Sequence, residues 1–291
     1  MKTCLLLIAI VCCCSIHAQQ LPVLNQVWNC YSFMNPATSG LEYKHQAAVL
    51  YRNQWDGVNG APNTIMGNYN YEINRNHAVG INYMNETIGA SRLNGGVLNY
   101  NYRIHFSDSI QHLLSIGAGI GVSNYYIDYT KLYAGNLNVV DLAYSQSSTT
   151  YAVLNVGVAY RYKRFFLGLG SNQLTESLLA QSNTSYTYRA ARGYSFIAAY
   201  DFRIAEQFSL KPQILIRADA VKAHVQLNLL ATIYKNYSVG FIYRGNDAIG
   251  FNAQVDLFGK YRVGYGYEYT TSKLAGISKG SHEIVLGFQL K

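Results

Sequence analysis

The sequence predicts an all-β protein: a transmembrane antiparallel β-barrel of about 14 strands with an N-terminal periplasmic strap or plug. Three observations predict it. First, apolar and polar residues alternate two apart, in short segments joined by tight polar turns, from about Gln46 to the last residue. That period places apolar side chains on one face of a strand rather than along a helical stripe. Second, charged residues make up only 13% of the chain, about half the roughly 25% usual in soluble domains, while hydrophobic residues reach 49%. No stretch approaches the ~18 consecutive apolar residues of a membrane helix. The apolar residues are spread one in two, as a closed wall with a lipid face and a polar lumen requires. Third, short connections bracketed by aromatic residues alternate with longer ones, a property of topology rather than of composition.

Residues 1–18 read as a secretory signal. Lys2 supplies the positive start, Leu5 to Cys14 the apolar core, and cleavage after Ala18 leaves Gln19 first. A lipoprotein signal at Cys12, Cys13 or Cys14 is the rival reading; Val11 stands where a small residue is expected. Removing the signal removes four of the five cysteines and lowers the formal charge from +8 to +7. Cys30 is then alone, so no internal disulfide forms. A basic balance points to acidic partners or anionic lipid head groups. No basic run or aromatic–basic interleaving points to nucleic acid.

Residues 19–44 do not alternate cleanly. They hold Asn35-Pro36-Ala37 and Gly40, and read as a strap on the periplasmic side or a plug in the lumen. The barrel is expected over 45–291. Its parity is plainest where outward Leu114, Ile116, Ala118, Ile120 and Val122 interleave with Ser115, Gly117, Gly119 and Gly121. The same holds for Val156 and Val158 against Asn155 and Gly157, and for Phe251 and Ala253 against Asn252 and Gln254. A soluble sandwich would carry more Lys and Glu on its outer face. Short turns are expected near Asn74-Arg75-Asn76, Ser107-Asp108-Ser109, Lys163-Arg164, Ala205-Glu206-Gln207, Lys235-Asn236 and Gly259-Lys260. Flanking rings such as Tyr102, Tyr162, Phe202, Tyr237 and Tyr261 form an interfacial girdle, which places these turns on the periplasmic side. The alternate connections, 56–63, 85–92, 124–149, 173–190 and 270–280, are often longer and are expected outside the cell; two others in the same series, near Asp219 and Asn246, are short, so the alternation is not strict.

No constellation reads as an active site. No spacing of His, Cys or carboxylates suits a metal, and no loop suits a phosphate. Gly117-Ala118-Gly119-Ile120-Gly121 is followed by no helix, and its inward glycines fit a crowded lumen or a close plug. Ser281 and His282 are adjacent on a strand and point to opposite faces, which separates them as a catalytic pair. The chain is therefore expected to be non-enzymatic and to carry no cofactor. Arg52, Arg103, Arg161, Arg203, Arg217, Arg244 and Arg262 take inward or end positions, as do Glu72, Asp201, Asp256 and Glu268. An internal salt-bridge network and a charged channel lining are the two readings of that set.

Several ordered motifs then carry a resemblance. Asn35-Pro36-Ala37 follows soon after Gln19-Gln20. Tyr51-Arg52-Asn53-Gln54-Trp55 and Gly60-Ala61-Pro62-Asn63-Thr64 come next. Tyr243-Arg244 with Asp247-Ala248, and Gly280-Ser281-His282-Glu283-Ile284, close the series. In this order the chain resembles the PorP/SprF family of Bacteroidetes outer-membrane proteins associated with type IX secretion. The ending departs from the usual barrel pattern, since Gln289-Leu290-Lys291 follows Phe288. The resemblance implies a barrel in the outer-membrane lipid that supports export or surface retention of a secreted cargo protein with a C-terminal sorting domain. It also implies periplasmic type IX secretion components as partners, with the motif residues contacting partners or the strap. The alternative is a substrate-specific pore with an N-terminal plug.

Overall fold

The structure is a computed structural model that describes residues 22–107, 112–131, 146–175, 178–180, 187–219 and 222–290. The expected signal segment and Gln19-Gln20 lie outside the described residues. So do Asp108-Ser109, Lys291, and parts of the connections expected at 124–149 and 173–190.

Seven strands follow one another as antiparallel neighbours: β1 (His45–Asn53), β2 (Asn63–Glu72), β3 (His77–Ile88), β4 (Ser91–His105), β5 (His112–Asp128), β6 (Gln146–Tyr162) and β7 (Phe165–Asn172). A separate two-stranded ribbon, β8 (Leu178–Ala180) and β9 (Thr187–Arg189), interrupts the series. The large sheet resumes with β10 (Gly193–Tyr200), β11 (Phe202–Ala205), β12 (Phe208–Ala218) and β13 (Ala223–Ile233). It ends with β14 (Tyr237–Arg244), β15 (Ala248–Leu257), β16 (Tyr261–Thr270) and β17 (Ser281–Leu290). β17 pairs with β1 from His45↔Leu290 to Asn53↔His282, which closes the sheet. β10 and β11 both pair with β12 and form one stave broken at Asp201, so the wall has fourteen staves. The break falls opposite Lys211 and Pro212, and Pro212 has no amide hydrogen to give to a ladder.

The predicted parity is the observed one. Ile120 is 64% exposed on the outer wall, while Ser115 in the same strand is fully buried. Val156, Val158 and Phe251 are exposed, and Asn155, Asn252 and Gln254 are buried. The described residues of the short turns expected above lie at one end of the barrel, together with the start of β1 and the end of β17. The other end holds the long connections and three short ones, between β3 and β4, β12 and β13, and β14 and β15. The long connection expected at 85–92 is instead a ladder closed by the two-residue turn Gly89-Ala90, because Asn85 to Ile88 pair with Ser91 to Asn94. Crossing a membrane takes about 9–11 tilted residues. β5 and β6, at 17 residues each, are longer than that, and at the long-loop end they run alongside the tip of the β3–β4 hairpin, where Ser91 pairs with Ile127. Pairing through 17 registers keeps that extension a ladder with its backbone groups satisfied.

Residues 22–44 run within the barrel. They make three 3₁₀ turns, Val27–Asn29, Tyr31–Phe33 and Pro36–Thr38. Asn35 caps the third, its Oδ1 accepting from the Ala37 amide at 3.0 Å, and Pro36 starts it with its φ already fixed. The segment begins at the long-loop end, where Pro22 O accepts from Arg217 at 2.8 Å. It finishes at the short-turn end, where Lys44 O accepts from the Glu72 amide at 2.8 Å.

The inward face departs from the expected Asn, Gln, Gly and Ser most extensively in one band, beside a smaller cluster of Leu93, Tyr151 and Val153. Leu50, Met66, Ile197, Leu215, Leu230 and Val285 point inward and form one apolar cluster with Leu24, Val27, Trp28, Cys30, Phe33 and Met34. The N-terminal segment supplies apolar side chains at that height, so apolar wall residues there are covered rather than wetted. Each large side chain buried this way is worth about 1.5–3 kcal/mol.

Candidate functional site

The family-motif residues gather mainly where the first and last strands meet. Cross-strand pairing sets Arg52 of β1 directly beside Glu283 of β17. Arg52 donates from Nη2 to Glu268 Oε2 at 2.6 Å and from Nη1 to Glu283 Oε2 at 3.3 Å. Arg244 donates from Nη2 to Glu268 Oε1 at 3.0 Å and from Nη1 to Asp247 Oδ2 at 2.9 Å. Gln226, paired with Arg244 across β13 and β14, accepts from its Nε and Nη2 at 3.2 and 3.1 Å. Arg52, Arg244, Glu268 and Glu283 are all essentially inaccessible to solvent. Glu268 must reach across β15 to Arg244. It can because Gly250 stands between: a Cβ there would meet Glu268 Cγ at 2.9 Å. Two guanidiniums and two carboxylates therefore share one dry junction, with the partly exposed Asp247 at its edge. Removing one member of such a network strands the others, at about 3–5 kcal/mol for a broken buried pair.

Glu283 has a second role at this junction. Its Oε2 accepts from the Asn25 amide at 2.7 Å, and its Oε1 from the Gln26 amide at 2.6 Å. One carboxylate thus ties the N-terminal segment to the seam and to Arg52. Just above it, the neighbouring loops are laced together. The Trp55 amide donates to Ser281 Oγ at 3.0 Å, and the Asp56 amide to Gly280 O at 2.7 Å. Gln54 N donates to Pro62 O at 2.9 Å and closes the β1–β2 loop on itself. Gly60 O accepts from the Gly89 amide at 2.9 Å and brings in the β3–β4 turn. Gly280 has φ +101, a conformation that an L side chain resists.

The remaining motif residues fall elsewhere. Tyr51 faces outward and donates to Asn63 Oδ1 at 3.1 Å. His282 also faces outward, its Nδ1 2.7 Å from the Tyr265 hydroxyl, so Ser281 and His282 stand on opposite faces of the wall. Asn35 and Pro36 lie lower in the lumen. Asn35 Nδ2 donates to Val158 O at 3.0 Å, and Pro36 O accepts from Asn101 at 3.4 Å. There the segment passes so close to the wall that a Cβ on Gly117 would lie 2.6 Å from Ala37 Cα, and one on Gly157 would collide with Asn35 Oδ1.

Further ion pairs occupy the lumen nearer the short turns. Arg103 meets Glu72 at 2.9 Å and also donates to Gly40 O at 2.6 Å. Arg262 holds Asp256 through Nε at 2.7 Å and Nη2 at 2.8 Å, and donates from Nη1 to Asn29 Oδ1 at 2.8 Å. Arg203, in contrast, lies exposed at the end of its strand. Glu86, buried and accepting from Thr64 at 3.1 Å, escaped the sequence reading because no motif marks it. His45 and His77 sit against Tyr69 and Tyr100, at 2.9 and 2.7 Å, through cross-strand pairings. Cys30 is buried within the segment, and desolvation, with the charge of Glu283, pushes its thiol well up. A reactive thiolate is suppressed there. Among the described residues no cluster of three His, Cys, Asp or Glu could hold a metal.

Solved structures with this architecture are distant in sequence. The toluene transporter TbuX of Ralstonia pickettii is 11% identical, with 90% of this chain and 93% of that chain covered and a TM-score of 0.55. A Pseudomonas aeruginosa FadL homologue is 11% identical, with 89% and 92% covered and a TM-score of 0.50. These likenesses speak to the fold alone. No curated protein matches the chain. The model of the Type IX secretion system membrane protein PorP/SprF family matches residues 16–288, and that span holds the seam junction, the loops above it and the whole N-terminal segment. A closed fourteen-stave wall with an apolar outer face has its place in the outer membrane, and this chain belongs to the PorP/SprF family.

Proposed function

We propose that the protein is a non-enzymatic barrel that supports type IX export, or surface retention, of a secreted partner carrying a C-terminal sorting domain. Its long-loop end faces outward and its short-turn end faces the periplasmic part of the apparatus, the orientation usual for bacterial barrels. The observation that carries this reading over a diffusion pore is the seating of residues 22–44 across the lumen, anchored at Glu283. A pore needs a continuous wet path. Here the lumen at mid-height holds the apolar cluster around Trp28 and Leu50. The laced loops 54–62 and 278–281 offer a fixed outer surface for a folded partner. The N-terminal segment serves as a plug rather than a gate under substrate control.

The test is deletion of the gene followed by whole-cell immunolabelling of a cognate secreted protein, with complementation by the native chain and by Arg52→Ala. Surface cargo is expected to vanish in the deletion. Arg52→Ala is expected to reduce it while barrel abundance, read by heat-modifiable gel mobility, persists. Full cargo display in the deletion, with no redundant paralogue, rejects the proposal. Steady conductance in planar bilayers with cargo unaffected favours the pore.

A further inference from the structure

At the short-turn end the lumen opens into a vestibule of about 550 Å³ between the N-terminal segment and the wall. Its lining is uneven in charge. Arg161, Lys163, Arg164, Arg203 and Lys211 contribute five cations, against the carboxylates of Glu42 and Asp201. The cations are not scattered. All five come from one arc of the wall, the end of β6 and the β6–β7 turn with β11 and β12. The arc formed by β1 and β2 contributes only the neutral amides of Gln46, Asn68 and Asn70. Phe165, Phe166 and Tyr31 add rings, and the last two stack at 5.9 Å.

The inner cations are committed to the protein. Arg161 Nη1 donates to Leu41 O at 2.7 Å, and Lys211 Nζ lies 3.8 Å from Glu42. Lys163, Arg164 and Arg203 are exposed at the rim, with the Lys163 ammonium 5.3 Å from the Tyr162 ring centre. The vestibule presents cations on one side, with Asp201 among them, amides opposite, rings beside them and a floor closed by the N-terminal segment. An extended polypeptide matches each part. Its carboxylates meet the cationic arc, its backbone groups meet the amides, and an aromatic side chain meets the rings.

We propose that this vestibule is a docking site for an acidic, extended segment of a periplasmic protein of the secretion apparatus. The proposal deepens the secretion reading and rests on its orientation. Binding in vitro tests the vestibule by itself, and crosslinking in cells tests the orientation. The probe is a fluorescein-labelled peptide of alternating Asp and Glu around one Phe, titrated by anisotropy against the full-length protein in nanodiscs of zwitterionic lipid. Saturable binding is expected. It should weaken on the order of 30-fold in Lys163→Glu/Arg164→Glu/Arg203→Glu and fall steeply with salt. Lys235→Glu/Lys260→Glu reverses two other short-turn cations outside the vestibule and should leave affinity within about twofold. Retained heat-modifiable mobility checks that each variant is folded.

Absent saturable binding, equal weakening by the two sets of reversals, or equal binding of a neutral Asn/Gln peptide would each overturn the docking site. Tighter binding of inorganic polyphosphate than of the peptide would overturn the polypeptide as occupant. A photocrosslinker placed at Arg203 should capture a periplasmic protein in cells, and one at Lys260 should not. Binding in vitro with capture from the external medium instead would keep the vestibule and overturn the orientation.

Discussion

Glu283→Ala should release the N-terminal segment without opening the barrel. The native carboxylate accepts two short bonds from the backbone, at 2.7 and 2.6 Å from the Asn25 and Gln26 amides. Each buried amide left without an acceptor costs about 1–3 kcal/mol. Arg52 keeps its 2.6 Å bond to Glu268, so the full penalty of an orphaned guanidinium is not added. A net loss of about 3 kcal/mol at the seat is expected, close to a 100-fold rise in the population of the released state. Cys30 reports that state directly. It is the one cysteine beyond the signal segment, it is fully buried, and it lies four residues past Gln26. The assay is mass-tagging by a maleimide-polyethylene glycol too large to enter the seated lumen. Glu283→Gln retains one acceptor oxygen and should fall between, at about tenfold. Native tagging kinetics in Glu283→Ala, with barrel mobility on gels unchanged, would refute the argument that this carboxylate seats the segment.

Other outcomes follow from the same geometry. Gly117→Ala should force Ala37 off the wall and raise Cys30 tagging, at a cost of about 1–3 kcal/mol, because the new Cβ would lie 2.6 Å from Ala37 Cα. Gly193→Ala meets nothing within 4 Å and should leave tagging unchanged. Val156→Arg places a charge on the lipid face and should cost on the order of 2–4 kcal/mol near the midplane, read by urea titration of the barrel in lipid vesicles; a cost near zero would refute the assigned face. In intact cells, Ile277→Cys should react with an impermeant maleimide and Lys235→Cys should not, since they stand at opposite ends of the barrel. The reverse pattern would invert the orientation.

Parity was the legible part of this fold. A period of two needs no knowledge of partners, so the faces of β5, β6 and β15 could be assigned from neighbours in the chain. The alternation of short turns with longer connections carried the topology in the same local way. Pairing across the seam could not be read. Arg52 and Glu283 are 231 residues apart, and only closure makes them adjacent. Arg52, Arg244 and Glu268 were recognisable as inward residues, but their joint junction depends on Gly250 leaving room between strands. The apolar band of Leu50, Met66 and Val285 breaks the polar rule for the inner face. Its cause lies in Val27, Trp28 and Phe33, whose irregular 3₁₀ turns have no strand or long-helix period to read. Of the inward glycines of β5, Gly117 marks a close approach by the segment, whereas Gly119 and Gly121 make room for the wall residues Asn99 and Val97; a missing Cβ is visible in sequence, but what fills its place is not.

The anchoring of residues 25 and 26 on the last strand ties the order of assembly to the two ends of the chain. The segment is synthesised first, whereas its acceptor at position 283 arrives only after nearly all of the wall, a separation of 258 residues. Contacts of that span form late, because the loop between them must first be organised. Closure of β1 on β17 and burial of the Asn25 and Gln26 amides therefore belong to a single cooperative step. A nascent wall lacking its final hairpin has neither a partner for Arg52 nor an acceptor for those amides. Such a chain presents an open edge together with an unhoused apolar segment, a combination that surveillance proteases and chaperones can discriminate from the finished product.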